Sequence, residues 1–229
     1  MRTHWEHLVR LVPTLPQAHI LDLGSGKGAF LIEAAQHGAT AKGVEYSAAY
    51  IEHTQEAAQA AGVDVDVRLG AAEAIPYPDA SFDFVNIAEV IEHVEDPMKM
   101  LDEVHRVLKP HGKGYLSVPN RFGFNDPHFR LYFVNWLPRS LANPFISLFG
   151  KHKNYADRSA GLQDLTKMHY YTYGSIKQKL EAHGFHVVDT RAERIRTEFP
   201  LLARVVLRAV YPLARALYFN TAHLLIEAV

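Results

Sequence analysis

His19-Ile20-Leu21-Asp22-Leu23-Gly24-Ser25-Gly26-Lys27-Gly28 is the stretch that decides the fold of this chain. A short apolar run containing one acid ends in glycines at every second position, and a helix-like segment follows. A buried strand that ends in a glycine turn lets a ligand approach the backbone where any Cβ would collide. The acid lies two positions before the first glycine, which points to a ligand with a positive end rather than a bare phosphate. A nucleoside such as S-adenosylmethionine answers that description. Gly24, Gly26 and Ala29 also satisfy the G-x-G-x-x-G/A dinucleotide pattern, so the loop alone leaves a nicotinamide dinucleotide open as well.

Outward from this loop, short β-rich runs alternate with helical patterns from residue 18 to about 119, the mark of a parallel α/β sheet. Strands are expected at 19–23, 39–45, 63–69, 82–88 and 114–118. Helices are expected at 27–37, from a Ser47 cap to Ala61 with Gly62 as its stop, and at 98–108, closed by Pro110 and Gly112. Residues 70–81 read as loop. From 120 to 168 the chain is rich in aromatics, prolines and asparagines without a steady period, an insertion of roughly 50 residues and long for a compact domain. A helix at 173–183 ended by Gly184, a strand at 185–191, a helical period over 200–218 and a last strand at 221–229 complete the pattern. The expectation is an α/β doubly wound, mostly parallel seven-stranded sheet, Rossmann-like, in one domain over 1–229 with the insertion after its fifth strand.

Composition narrows the function classes. The 229 residues are 48% hydrophobic and carry 24 basic against 25 acidic side chains. That balance supplies no bulk field to draw in nucleic acid. The chain has no cysteine, which excludes disulfides and thiolate metal sites and fits a reducing, cytoplasmic setting. Met1 to Pro13 mixes charges and histidines with apolar residues, unlike a signal peptide. No run of about 20 apolar residues is free of charge, so no membrane span is expected.

Three features accompany the glycine loop. Glu45 ends the second strand, where a carboxylate can accept hydrogen bonds from ribose hydroxyls. Ala72-Glu73-Ala74-Ile75-Pro76-Tyr77-Pro78-Asp79-Ala80-Ser81-Phe82-Asp83 runs into the fourth strand, and Arg106-Val107-Leu108-Lys109-Pro110-His111-Gly112 precedes the fifth. In this order, over residues 15–119, the sequence resembles the class I S-adenosylmethionine-dependent methyltransferases. The resemblance implies that Asp22 holds the amino group of the methionine moiety, with Gly24, Ser25 and Gly26 giving it room. It implies that Glu45 holds the ribose and Tyr46 packs beside the adenine. Ala72 and Glu73 would line the adenine side, and Ala88 the methionine portion. Ala71 departs from the pattern, standing where many relatives have an Asp that contacts the adenine amino group.

Glu89-Val90-Ile91-Glu92-His93 follows the fourth strand, at the sheet edge where ligands of open α/β folds bind. A sulfonium is already an activated methyl donor, so the chain must align the acceptor and, for a hydroxyl, help remove its proton. His93 is the first candidate base, with His169 a second group able to reach the acceptor. Were 89–93 helical, Glu89, Glu92 and His93 would share a face, and two carboxylates with an imidazole suit a divalent metal. The E-x-x-E-H spacing resembles the small-RNA 2′-O-methyltransferases and the ubiquinone-pathway O-methyltransferases, in which such a metal role is implied. His128 or His169 would then complete the ligand set.

The aromatics of 120–168 are candidates for an acceptor pocket or lid. In 200–218, Arg204, Arg208 and Arg215 project within about 40° of one another, with Leu202, Val206, Leu213 and Leu217 on the opposite face. Docking on the sheet or on a second copy is the expected use of that helix, and peripheral membrane contact the alternative. The expected function is methyl transfer to a small-molecule acceptor through oxygen. The alternatives are an NAD(P)-dependent oxidoreductase and a cofactor-binding module without activity.

Overall fold

In the computed structural model, which describes residues 3–126, 128–150, 165 and 167–229, strand β1 (His19–Leu23) is buried at every position after His19. It is covered on both sides, pairing in parallel with β2 (Thr40–Glu45) and β4 (Phe82–Ile87). β3 (Asp66–Leu69) extends the sheet beyond β2, and β5 (Leu108–Pro119) extends it beyond β4. β9 (Thr221–Ala228) then runs antiparallel between β5 and β8 (Phe185–Asp189). The seven strands follow the order β3-β2-β1-β4-β5-β9-β8 and form the mostly parallel sheet that the alternating pattern implied. The order reverses direction at β1 and β4, which opens a crevice at the strands' C-terminal ends.

Each face of the sheet carries its own core. On one, Trp5 and Leu8 of α1 (His4–Leu11) join Phe30 and Leu31 of α2 (Ala29–Gln36) over Ile20 and Phe84, with Ile51 of α3 (Ala48–Ala61) at the margin. On the other, Leu101 and Val104 of α4 (Pro97–Val107) and Ile176 and Leu180 of α6 (Tyr173–Ala182) pack on Leu21, Val85 and Leu116. Burying each such side chain contributes about 2 kcal/mol. The 120–168 segment is better organised than its period indicated. A hairpin of β6 (Asn125–Asp126) and β7 (Leu131–Tyr132) leads to α5 (Arg139–Phe149), and Phe129, Val134, Ala142, Ile146, Leu165, Met168 and Tyr170 form a small separate core. The part of the insertion at 151–164 lies outside the described residues.

Several boundaries differ from the sequence reading for physical reasons. β3 starts at Asp66 rather than 63 because its only neighbour, β2, first pairs with it there. Pro110 and Gly112 sit inside β5, in a register irregularity opposite Phe82–Phe84 where His111 adopts a left-handed φ of 61°. β8 stops at Asp189 because that side chain accepts the Arg191 and Ala192 N–H groups and starts a helix, α7 (Thr190–Glu198). The N-terminal α1 begins in a capping box in which Thr3 and Glu6 exchange side-chain and backbone bonds. The 200–218 helix is present as α8 (Leu201–Leu217), but none of its residues is buried. Docking of its apolar side on the sheet is therefore overturned.

Candidate active site

The glycine turn departs from β1 because Gly24, Gly26 and Gly28 all adopt left-handed φ values of 71°, 53° and 75°. The three differ in what surrounds them. A Cβ on Gly28 would lie 2.2 Å from Thr54 Cγ2, and one on Gly24 2.7 Å from Val90 Cγ2. A Cβ on Gly26 would meet nothing within 4 Å. Gly24 and Gly28 are thus fixed by close packing, while Gly26 borders open space. Glu45 clamps the turn, its carboxylate accepting the Gly26 N–H at 2.7 Å and the Ser47 N–H at 2.9 Å. Each oxygen keeps a second lone pair for a ligand hydroxyl. Ser25 is buried and its hydroxyl has no hydrogen-bond partner.

Asp22 is buried beneath the turn, and its Oδ1 accepts one bond, from Asn86 Nδ2 at 2.8 Å. Burial pushes its pKa up to about 7; the Asn86 bond works against that rise, and the Glu45 charge adds to it. A buried acid without a cation awaits one. Asn86 Oδ1 in turn contacts His4 Nε2 at 2.9 Å, so α1 closes over this end of the site. Tyr46 is 82% exposed, open to stack on a ring. Ala72 packs against the core and Ala88 lies half-buried at the end of β4. Glu73 is otherwise engaged, for its Oε1 accepts the Glu95 and Asp96 N–H groups ahead of α4.

The segment after β4 is a turn, not a helix, so the shared helical face of Glu89, Glu92 and His93 does not exist. Glu89 takes a left-handed φ of 61°, donates its N–H to Ser117 Oγ, and is exposed and outside the cluster of possible metal ligands. In its place the fold brings up His128 from the insertion. Glu92, His93 and His128 each offer a ligand atom, all within 4.8 Å of one another. Glu92 is fully buried and neither carboxylate oxygen has a hydrogen-bond partner; its Oε1 lies 3.5 Å from His128 Nε2 and 3.8 Å from His93 Nε2.

Hydrogen-bond directions sharpen that picture. Tyr170 donates its hydroxyl to Asp126 Oδ2 at 2.7 Å, so its oxygen accepts from His128 Nδ1, 2.9 Å away. Burial and the Asp126 charge raise the Tyr170 pKa, which keeps that proton in place. With Nδ1 donating, His128 turns Nε2 toward the Glu92 carboxylate, 3.5 Å away and without a hydrogen-bond partner among the described residues. Such a nitrogen and oxygen attract only with a proton or a cation between them. Asp126, fixed by the His128, Phe129 and Asn135 N–H groups, completes the support behind His128. His169 reaches this region through its backbone, donating to the Glu92 carbonyl at 3.1 Å; its ring is not in the cluster.

Residues 21–116 match the family model described as a methyltransferase domain. The chain is 28% identical over 164 residues to a ubiquinone biosynthesis O-methyltransferase of Coxiella burnetii, spanning 69% of this chain and 70% of that one. It is 30% identical over 167 residues to the protein of the same name from Parvibaculum lavamentivorans, spanning 70% and 66%. Among solved structures, an S-adenosylmethionine-dependent methyltransferase from Mesorhizobium loti superposes with a TM-score of 0.61 at 21% identity, covering 97% of this chain and 96% of that one. A [4+2]-cyclase superposes at 0.60 with 16% identity, covering 97% and 80%. These two speak to the fold alone, and the second shows it serving another reaction.

Proposed function

We propose that this chain, which belongs to the class I S-adenosylmethionine-dependent methyltransferases, methylates an oxygen of a small acceptor, a hydroxyl on a phenolic, glycosidic or lipid-linked molecule. The observation that carries the donor assignment is Asp22, a buried carboxyl with no cation, set under a glycine turn whose middle glycine borders open space. Bound S-adenosylmethionine supplies an electrophilic methyl group on a positively charged sulfur. Asp22 binds the amino group, Gly26 leaves the backbone open, Glu45 accepts from ribose hydroxyls and Tyr46 covers the base. Oxygen as the acceptor atom is supported by the ubiquinone-pathway relatives and by the histidine cluster beyond β4.

His93, half-buried at that edge, takes the acceptor's proton in the first reading, with Glu92 Oε1 steadying the charged ring. The second reading places a divalent cation among Glu92, His93 and His128, favoured by the two Glu92 oxygens and the His128 Nε2, none of which has a hydrogen-bond partner among the described residues. Such an ion would supply Lewis acidity to an acceptor hydroxyl, and its mixed nitrogen and oxygen ligands suit Mn²⁺, Zn²⁺ or Fe²⁺ better than Mg²⁺. The 120–168 insertion is the acceptor-recognition element in either reading. Methyl transfer from labelled donor across phenolic, sugar and lipid-linked acceptors tests the whole. Chelation followed by metal add-back divides the two readings. Loss of turnover restored by Mn²⁺, with the same loss in His128→Ala, supports the cation. Unchanged turnover on chelation with loss in His93→Gln supports the base.

A further inference from the structure

Away from the glycine turn, a cavity of ≈ 470 Å³ opens at the C-terminal edge of the sheet, lined among others by Phe124, Tyr132, Arg191, Tyr218 and His223. It lies on the β5–β9 side of the β1–β4 switch point, along the same strand-end edge on which ligands of open α/β sheets bind. β5 ends at Pro119, β8 ends at Asp189 just before Arg191, and the antiparallel β9 begins there at Thr221. The walls are tied to one another. Asn125 donates its N–H to Asn220 Oδ1 at 2.9 Å, and the Phe124 ring meets Tyr132 at 5.3 Å and Tyr218 at 6.1 Å.

The cavity is also coupled to the donor side. His223 faces Ser117 across the β5–β9 ladder, and Ser117 Oγ accepts the Glu89 N–H at 2.8 Å. The His223 Nδ1 is hydrogen-bonded to the Tyr115 hydroxyl, and the Tyr115 ring lies 5.1 Å from His4, the residue that contacts Asn86 beside Asp22. A continuous path of contacts, through Tyr115, His4 and Asn86, therefore links this cavity to the buried acid under the turn.

Arg191 is the group that needs explaining. It is half-buried, its Nη1 donates to the Thr221 carbonyl at 2.8 Å, and its guanidinium stacks on Phe219 at 4.3 Å. Among the described residues no carboxylate lies within 4.0 Å of it. The nearby Asp189 is already taken, by the Tyr211 hydroxyl at 2.8 Å and by Arg215 Nη1 at 3.2 Å. A guanidinium has five N–H donors in a planar fork, so most of its capacity is uncommitted. His223 adds no competing charge. Burial, with Arg191, His7 and His4 contributing, pushes its pKa down to about 4, so near neutrality the ring is uncharged. Its Nδ1 is engaged by the Tyr115 hydroxyl. The cavity thus combines aromatic walls, one cation without a carboxylate partner among the described residues and a neutral imidazole.

Resting on the methyl-transfer reading, we infer that this cavity receives the acceptor, a compact aromatic molecule bearing an oxyanion that Arg191 binds in charge-assisted hydrogen bonds. The rings of Phe124, Tyr132 and Tyr218 hold the planar body, and Arg191 fixes its orientation relative to the donor. A carboxylate and a phosphate monoester are the two sources of such a group.

Calorimetric titration of the full chain, saturated with S-adenosylhomocysteine, with 3-hydroxybenzoate, 3-hydroxyphenyl phosphate and the neutral 3-hydroxybenzamide tests this. At least one anion should bind about tenfold or more tightly than the amide, and the tighter of the two identifies the source. Arg191→Met should remove that preference while S-adenosylhomocysteine affinity stays within about threefold, and Arg191→Lys should retain part of it. Equal affinity for acid and amide in the unaltered protein, binding of neither, or a preference that survives Arg191→Met overturns the assignment. An anion preference in a protein that fails to bind S-adenosylhomocysteine keeps the cavity's role and overturns the donor reading instead.

Discussion

Asp22 titrates near 7 in the ligand-free fold against 3.8 as its ordinary value, and two consequences follow with opposite signs. For the fold, a raised acid stabilises most below about 4, and that contribution is lost as pH rises toward 7. For the donor, only the ionised carboxylate pairs with an ammonium group. S-adenosylhomocysteine should therefore bind more tightly as pH rises from 5.5 to 7, by up to about tenfold per unit, level off once Asp22 is ionised, and weaken again as the ligand's own amine deprotonates. Asp22→Asn should flatten that profile and weaken binding at neutral pH by about tenfold or more. Calorimetry over this pH range reads both.

The glycines of the turn separate fold from function in the same way. Gly28→Ala forces a Cβ to 2.2 Å from Thr54 Cγ2 at a φ of 75°, so it should cost about 2–4 kcal/mol in urea unfolding. Gly26→Ala meets no neighbour within 4 Å and should cost only about 1–2 kcal/mol of backbone strain. It should nonetheless abolish S-adenosylhomocysteine binding, because its methyl occupies the space left for the ligand. Equal binding by Gly26→Ala and the unaltered chain would move the donor elsewhere.

Helix α8 is amphipathic in the inverse sense. Arg215 stacks on Tyr173 at 3.6 Å and pairs with Asp189, and Tyr211 bonds the same carboxylate, so the polar side faces the protein. Leu202 and Leu213, by contrast, are 84% and 64% exposed. Asn120 pins the far end of the helix by donating to the Arg215, Ala216 and Phe219 carbonyls. No helix among the described residues is long and apolar enough to cross a membrane. Such an outward apolar stripe suits docking on a second copy or shallow contact with a lipid surface. Val206→Glu with Leu213→Glu should leave Tm within about 2 °C, since both sites are exposed. The same double change should abolish co-sedimentation with vesicles if α8 is the contact, and unchanged sedimentation would remove it from that role.

The central half of the molecule was legible in the sequence because its signals are local. Glycine punctuation, period-two strands and the Asp22–Glu45 spacing all act within a few residues of where they are read. What the sequence left open depends on tertiary contact. By sequence His128 and His169 are equal candidates beside Glu92, and His128 joins it because the insertion folds back on its own small core, which no spacing rule reports. Arg191 read as a strand residue; the Asp189 cap was the available sign that a helix starts there, and its charged, weakly periodic sequence hid α7. The 89–93 segment misled because E-x-x-E-H fits a helical face, whereas the left-handed Glu89 turns the chain and removes that side chain from the cluster.

The donor assignment rests on one ligand at one place. Titrating the chain with S-adenosylhomocysteine and, separately, with NAD measures that directly. One molecule of S-adenosylhomocysteine per chain, bound at micromolar or tighter affinity and weakened about tenfold or more in Asp22→Asn, with no heat from NAD, is the predicted result. Saturable NAD binding, or no binding of S-adenosylhomocysteine, would contradict it.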